Sequence, residues 1–420
     1  MNEVQDILMV GTHGLTKYEI ESPYKFHRPV PSARGLHPCE LYVISKGGIK
    51  RFNPVNRNYD VLFEKQSEAE EEFEICVAAD IWRIGKFYGD FSYILSALDC
   101  GHIIGQILVL AGKANCNARV SYVRNSKDIY SDYFKKHGMV MFASIKIRKQ
   151  GKFDDAEIKL LPNKTRQICY KDCLSKLNYI DELAGVPDSK TSRDIFINKI
   201  EDSDDGLSNK LDDISIGYTL SHRTSSHSHI GLMTFESLDE VKAKLNWISR
   251  ECSKYIKHAG IEEYAGVYMY YSQMSQDFGR GYYRLSAKNQ TWVQVCEADD
   301  SESEWYRIIH DSHEFLNVDS IPFVFFISVN IEKIQQEYGD KLVDVVYMLS
   351  GELSQIVCLL STGFGWYCRP IKNIKENEIE KKMELDTSVE RITYAMLTGM
   401  ENITQRTVSL NVFEGNENNE

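Results

Sequence analysis

The sequence predicts an α+β fold in which one unit occurs twice. Three observations carry this. Tyr88-Gly89-Asp90, followed by Gly101-His102 and Gln106, returns 250 residues later as Tyr338-Gly339-Asp340, followed by Gly351-Glu352 and Gln355. Each copy continues into an apolar helix-like stretch with little polar face, Ile103 to Leu110 and Ile356 to Leu360, and such a helix belongs in a deep core or an interface. Upstream of each copy lie two alternating strands joined by a glycine-containing turn: 41–44 with 49–52, and 267–270 with 281–285. The 420 residues suit two domains of about 150 to 200 residues each.

Taken in order, residues 1–150 form the first domain, a mixed or antiparallel sheet flanked by helices. It contains the turn HRPVPSARGLHP (27–38), which runs directly into the apolar strand Leu41-Tyr42-Val43-Ile44. Residues 151–212 connect the domains, and their tail EDSDDGLSNKLDD has the acidic, Gly/Ser-containing composition of a linker. Residues 213–420 form the second domain. It opens near RTSSH (223–227), continues through an amphipathic helix over 238–256, and closes with LTGMENITQR (397–406).

The net charge of −12 and the lack of a basic stripe exclude a general nucleic-acid binder, because phosphate affinity needs clustered Lys and Arg. The acidic start MNEVQDILMVG is not a signal peptide, and uninterrupted apolar runs such as 324–327 are too short to span a bilayer. Ten cysteines without a CxxC pair suit reduced thiols, so a cytoplasmic protein without membrane association is expected. His227 with His229 and Cys169 with Cys173 lack further partners at metal-ligand spacing, so no metal is expected. There is no Walker or Rossmann glycine pattern; Gly279-Arg280-Gly281 fits a hairpin turn.

The run PSARGLHPCELYVIS (31–45) resembles the PSAGGLHPLELYVV signature of SagB-type azoline dehydrogenases, a branch of the nitroreductase family. About fifty residues on, Arg83, Tyr88, Gly89, Tyr93, Leu98, Asp99, Gly101 and His102 occupy, in order, positions of that branch's second motif. More faintly, RTSSH resembles the family's opening RxSxR, and 385–406 its closing helix with a following basic residue. The resemblance implies two nitroreductase-like domains fused as an internal pseudo-dimer, monomeric or further paired as a chain. It implies FMN as cofactor, with O2 reoxidising it. The activity it implies is oxidation of azolines to azoles (thiazole or oxazole) on a ribosomally made precursor peptide, in association with a cyclodehydratase. The alternatives are a flavoprotein of the same fold acting on another peptide or small molecule, and a degenerate scaffold subunit of a cyclodehydratase complex.

The site residues follow from the same resemblance. Arg223, Ser225, His227 and Arg406 would hold the FMN phosphate, and a phosphate of nearly two negative charges needs charge-assisted donors of this kind. Pro31, Ser32 and Ala33 would lie against the isoalloxazine ring, proline fixing the backbone and small residues allowing close approach. Tyr88 is the expected proton-transfer residue. Lys86 stands one place before the family's lysine, which is Phe87 here, and would have to turn inward to lower the phenol's pKa. Arg34, in place of a family glycine, and His37 would shape the substrate pocket. The first half has the Pro-Ser turn without a preceding RxSxR, and the second has RTSSH without the turn. The expectation is therefore one composite FMN site, with the opposite site empty.

Overall fold

The computed structural model describes residues 2–20, 24–45, 48–64, 72–122, 133–134, 137–149, 192–195, 219–220, 222–223, 225, 238–272, 279–299, 301–310, 321–400 and 407–409. Helix α1 (Asn2–His13) leads through two short strands, β1 (Lys17–Glu19) and β2 (Phe26–His27), into the turn and β3 (Cys39–Ser45). Then come β4 (Gly48–Asn53), β5 (Asn58–Glu64), β6 (Glu72–Ala79), α2 (Ile81–Tyr88), the long α3 (Ser92–Lys113), β7 (Asn117–Tyr122), β8 (Val140–Arg148) and β9 (Ser192–Ile195). The second half runs α4 (Leu238–His258), β10 (Ala265–Tyr271), β11 (Gly281–Ser286), β12 (Thr291–Glu297), α5 (Ser301–Ile308), β13 (Phe323–Asn330) and α6 (Ile331–Tyr338). It ends with α7 (Leu342–Gly363), β14 (Trp366–Ile371), α8 (Glu376–Lys382), β15 (Glu390–Met400) and β16 (Thr407–Ser409). The stretch 385–406, read from sequence as resembling a closing helix, is instead a strand over Glu390–Met400, held in the ladder between β13 and β14.

The two main sheets have the same order. The first is β5-β4-β3-β6-β8-β7, extended at its edge by β9, and the second is β12-β11-β10-β13-β15-β14. The likeness reaches single residues. The β6–β8 ladder slips at Val77/Ala78 and the β13–β15 ladder at Ile327/Ser328. Asp80 caps α2 by accepting from the Arg83 N–H, and Asn330 caps α6 through Lys333 in the same way. Each short helix stops at a glycine with positive φ, Gly89 (55°) and Gly339 (50°), which is why the Tyr-Gly-Asp signature recurs: the chain must turn through left-handed space there, and glycine does so without strain.

The halves meet where α3 crosses α7. A Cβ on Gly101 would lie 2.1 Å from the Met348 carbonyl oxygen, and one on Gly351 would lie 2.1 Å from that of Leu98. Only glycine at both positions lets the backbones touch. Around this crossing Ile103, Ile104, Ile107, Leu108, Leu353 and Val357 are buried in a core that runs through both halves, each worth roughly 1.5–3 kcal/mol relative to exposure. A polar thread pins the crossing: His102 Nδ1 lies 3.0 Å from Gln355 Oε1, Gln355 Nε2 donates to Gln106 Oε1 (2.8 Å), and Gln106 Nε2 donates to the Gly11 carbonyl (3.0 Å).

Short apolar runs had suggested that nothing in the chain could span a bilayer. In fact Ile81–Lys113 and Ile331–Gly363 are long and apolar enough by length and composition, because small polar residues and glycines interrupt their runs without lowering their mean hydropathy. Most of each apolar window, 89% and 83%, is buried inside the protein, as core helices are. Both expected domain boundaries, at 150/151 and 212/213, fall outside the described residues, as do Cys169, Cys173 and the acidic linker tail. Within the expected connecting segment, β9 pairs with β7 of the first sheet. The far end of the chain also returns to the first half, where β16 pairs with β1, Thr407 opposite Glu19.

Candidate functional site

The Pro-Ser turn is a rigid, strained loop. Pro29, Val30 and Pro31 are buried, Ser32 is extended, and residues 33–35 make one 3-10 turn. Arg34 (φ 52°), Gly35 (62°) and His37 (45°) all occupy the left-handed region. Two of these are not glycine, and such conformations persist only where the surroundings over-determine them. The surroundings are specific. Ser32 Oγ donates to Asp99 Oδ2 on α3 (2.5 Å) and accepts the His37 N–H (2.9 Å), so one hydroxyl ties both ends of the turn to the core helix. Arg83 of α2 braces the exit, donating to the His37 carbonyl (2.7 Å) and to Glu40 Oε1 (2.5 Å).

Burial dominates the electrostatics here. Desolvation pushes the Asp99 carboxyl up to about 7, against the opposing effects of the Ser32 hydroxyl, the Ala33 N–H and Arg28. His37 is held well below its usual range by burial and then by Arg28 and Arg223, so its imidazole is neutral.

Arg223, from the second half, reaches this same turn. Its Nη2 donates to the carbonyl of Arg28 (3.3 Å), four residues before Ser32, and its Nη1 to Ser225 Oγ (3.3 Å). Lys17 Nζ donates to the Arg223 carbonyl (3.3 Å). The Arg28 guanidinium is also buried. It donates to the ring of His13, 3.1 Å from Nδ1, and burial lowers its pKa to about 10. Among the described residues, the Nε groups of both arginines are buried without a hydrogen-bond partner and neither side chain is ion-paired to a carboxylate. Two desolvated guanidiniums with donors to offer can hold an anion. Nearby, burial lowers His102 to about 3, leaving it neutral; with Nδ1 facing the Gln355 oxygen, its buried Nε2 has no partner among the described residues.

At the rim, Tyr88 is half-buried. Its phenol is pushed up by desolvation, which outweighs the opposing charge and hydrogen bond of Arg34. The Arg34 guanidinium lies 5.1 Å from the Phe87 ring centroid and 5.4 Å from that of Tyr88, within cation–π range. Lys86, expected to turn toward Tyr88, instead sits over Phe87 at 4.9 Å. The reason is helical geometry: both residues lie in α2, and positions i and i+2 do not share a face. The cation beside Tyr88 is therefore Arg34, and Tyr88 is protonated at neutral pH.

The sequence-predicted residues Pro31, Ser32, Ala33, Arg34, His37, Tyr88, Arg223 and Ser225 thus gather around the turn. His227 and Arg406 lie outside the described residues. Arg28, His13, Lys17 and Asp99 were not singled out from sequence as site residues. Arg28 stands in the turn segment and Asp99 in the second motif, so both had a signal, whereas nothing marked His13 or Lys17.

The equivalent place in the second half is filled. Gly260 and five further residues join α4 straight to β10 with no Pro-Ser turn. Tyr338, the counterpart of Tyr88, is buried between Tyr122 (ring centroids 5.6 Å apart) and Tyr264 (6.0 Å). Tyr264 donates to Glu337 Oε2 (2.6 Å), and Lys341 donates to the Tyr122 carbonyl (3.0 Å). Among the described residues no group of three or more His, Cys, Asp and Glu is placed to hold a metal.

No family model matches the sequence, and no curated protein matches it. Solved structures do. A protein from Anabaena variabilis, provisionally described as a nitroreductase, superposes with a TM-score of 0.69 over 95% of this chain and 88% of its own, at 17% identity. A second such protein, from Ralstonia eutropha, covers 44% of this chain and 83% of its own at 15% identity and a TM-score of 0.34. The E. coli microcin synthetase McbBCD complex, solved with truncated pro-MccB17 bound, covers 57% and 85% at 13% identity and a TM-score of 0.35. The last two superpose too loosely to bear on the fold. The first spans both halves, and with the repeated sheet order it shows that this chain has the nitroreductase fold, built as two α+β units in one polypeptide.

Proposed function

We propose that the chain is an FMN-dependent oxidoreductase with one flavin site shared between its halves. The observation that carries this is the meeting of Arg223, from the second half, with the Pro-Ser turn of the first, where its guanidinium and that of Arg28 are both buried with donors to spare. The residues fit FMN. Arg223, Ser225 and Arg28 would hold its phosphate as charge-assisted donors, with His227 and Arg406 as further candidates. Pro31, Ser32 and Ala33 would face its ring. Bound there, FMN supplies a two-electron acceptor or donor.

The chain's own residues set the direction of proton transfer. For oxidation of an azoline to an azole, the activity implied by the sequence resemblance, a group must accept a carbon-bound proton while hydride leaves. Tyr88 and Lys86 were the expected pair. A protonated Tyr88 held by Arg34 is better suited to donating a proton than to accepting one. This favours a second reading, reduction of a polarised double bond or nitro group, in which Arg34 stabilises developing negative charge on the substrate. Arg34 and His37 would shape the pocket in either case. A precursor peptide as substrate, association with a cyclodehydratase and a cytoplasmic setting remain parts of the first reading.

Purified full-length protein tests both. Retention of FMN after gel filtration, and its loss in Arg223→Gln, support the site; a colourless protein that rejects added FMN defeats it and leaves the scaffold alternative. Loss of two hydrogens from a thiazoline-containing peptide, read by mass, selects oxidation. Reoxidation of the photoreduced flavin by an enone or nitroarene, with no change in the peptide, selects reduction.

A further inference from the structure

The two units provide an internal control. Their caps, bulges and crossing glycines correspond at a constant spacing, so the residue of the second half equivalent to Asp99 is Leu349. Asp99 is buried in α3 and Leu349 is buried in α7, at matching places on the two central helices. The half with the carboxyl has the Pro-Ser turn, and the half with the leucine has none. A buried carboxyl is costly unless it is used, and this one is used twice, by the Ser32 hydroxyl at 2.5 Å and by the Ala33 N–H.

We infer that Asp99 is a positioning residue: its carboxyl, reaching out of the core helix to Ser32 and Ala33, anchors the turn in its strained, left-handed conformation. The strain at Arg34 and His37 needs such an anchor, because neither residue rests in that region unaided. Ser32 passes the constraint on, since the same hydroxyl accepts the His37 N–H. Asp99 thereby acts through the turn on whatever lies against it. The groups facing the carboxyl are Ser32, Ala33 and Arg28 from the turn segment, Cys39 from β3, Cys100 from α3, Tyr88 from α2 and Tyr394 from the second half. Arg28 is the only cation among them, so the charged form has one favourable neighbour, and it accepts both turn hydrogen bonds more strongly than the neutral form. Desolvation outweighs these contacts, and opening the turn lets the carboxyl hydrate and ionise, so the anchor loosens as pH rises through the neutral range.

The test uses the full chain, in two arms. The first needs no cofactor: hydrogen–deuterium exchange of the amides in 29–38, corrected for intrinsic rate, in wild type, Asp99→Leu and Asp99→Asn. Asp99→Leu reproduces the second half's own solution and should keep the fold, with α3 as protected as before. Exchange in the turn should rise about tenfold or more, the order expected for losing a charge-assisted hydrogen bond. In wild type the turn should become less protected from about pH 6 to pH 8, with Asp99→Asn flat over that range. Should Asp99→Leu not fold, the pH profile of Asp99→Asn decides. Unchanged turn protection in Asp99→Leu, or an Asp99→Asn profile identical to wild type, overturns the inference. The second arm rests on the flavin reading: FMN affinity should fall about tenfold in Asp99→Leu while inorganic phosphate binds as before. A wild-type chain that binds no FMN defeats that reading and leaves the first arm standing.

Discussion

Helices α3 and α7 are the same element built twice, and they carry different burdens. Both follow a Tyr-Gly-Asp cap, both cross the partner at a glycine, and both lie in the core. Along α3, however, Asp99 reaches the turn and His102 presents a neutral ring, whereas α7 has Leu349 and Glu352 at those places, the latter accepting from the Tyr255 hydroxyl at 2.8 Å. The surroundings diverge in the same sense. Tyr88 stands at a rim beside Arg34, and Tyr338 is packed between two tyrosines. Duplication has kept the scaffold symmetric and left the turn, with its Asp99 anchor and the rim Tyr88, on one side. A covalently fused pair is free to do this, since neither copy has to be self-complementary.

The comparison can be broken most severely at the crossing. Gly101→Ala and Gly351→Ala each force a Cβ into backbone, so each should cost about 3 kcal/mol or more in urea unfolding. Equal costs would confirm that the two positions are equivalent; a neutral effect at either would place the crossing elsewhere. Next in size is the anion end. Arg223→Gln should weaken FMN by about 2–3 kcal/mol, the order of a lost charge-assisted contact, while riboflavin, which has no phosphate, binds as before by fluorescence titration.

The Asp99 carboxyl gives a pH signature with a definite sign. Its folded pKa of about 7 lies above the ordinary 3.8. The protonated form is therefore favoured by folding, and the stability it confers is complete below the unfolded value and lost as pH rises through the folded one. Relative to Asp99→Asn, wild type should lose about 2–3 kcal/mol of unfolding free energy between about pH 5 and pH 8. A constant difference across that window would mean the carboxyl ionises normally.

The tyrosine pair sharpens the contrast at lower cost. Tyr88→Phe should cut turnover at saturating substrate by about 100-fold, as expected when a proton-transfer group is lost. Tyr338→Phe should leave turnover intact and cost about 1 kcal/mol of stability. Equal effects on turnover would mean the second site works too. The smallest effect is expected at Lys86, where Lys86→Ala should change turnover less than about threefold, because its ammonium rests on Phe87 and not on the phenol.

The duplicated architecture was legible in the sequence because its markers are obligatory. Gly89 and Gly339 must turn left-handed, Gly101 and Gly351 must admit a backbone, and the strand pairs alternate. The turn was legible for the same reason, with prolines and Ser32 announcing rigid backbone. The wiring behind it was not. Asp99 reads as one polar residue in an apolar helix, and its tie to Ser32 spans 67 positions. Arg28 reads as a loop cation until the fold shows it buried, with no ion-paired carboxylate among the described residues. The orientation of Lys86 was misjudged because one residue along a helix turns a side chain by about 100°, and adjacency in sequence hides that.

The central claim, that two copies of one unit supply different parts of a single flavin pocket, is tested most directly by counting flavin. The full-length protein, saturated with FMN and freed of excess, should hold one FMN per chain by absorbance against amino-acid analysis, and Arg223→Gln should hold none. Two per chain would mean the tyrosine-filled side also binds; one per chain that survives Arg223→Gln would mean the pocket does not depend on the second half.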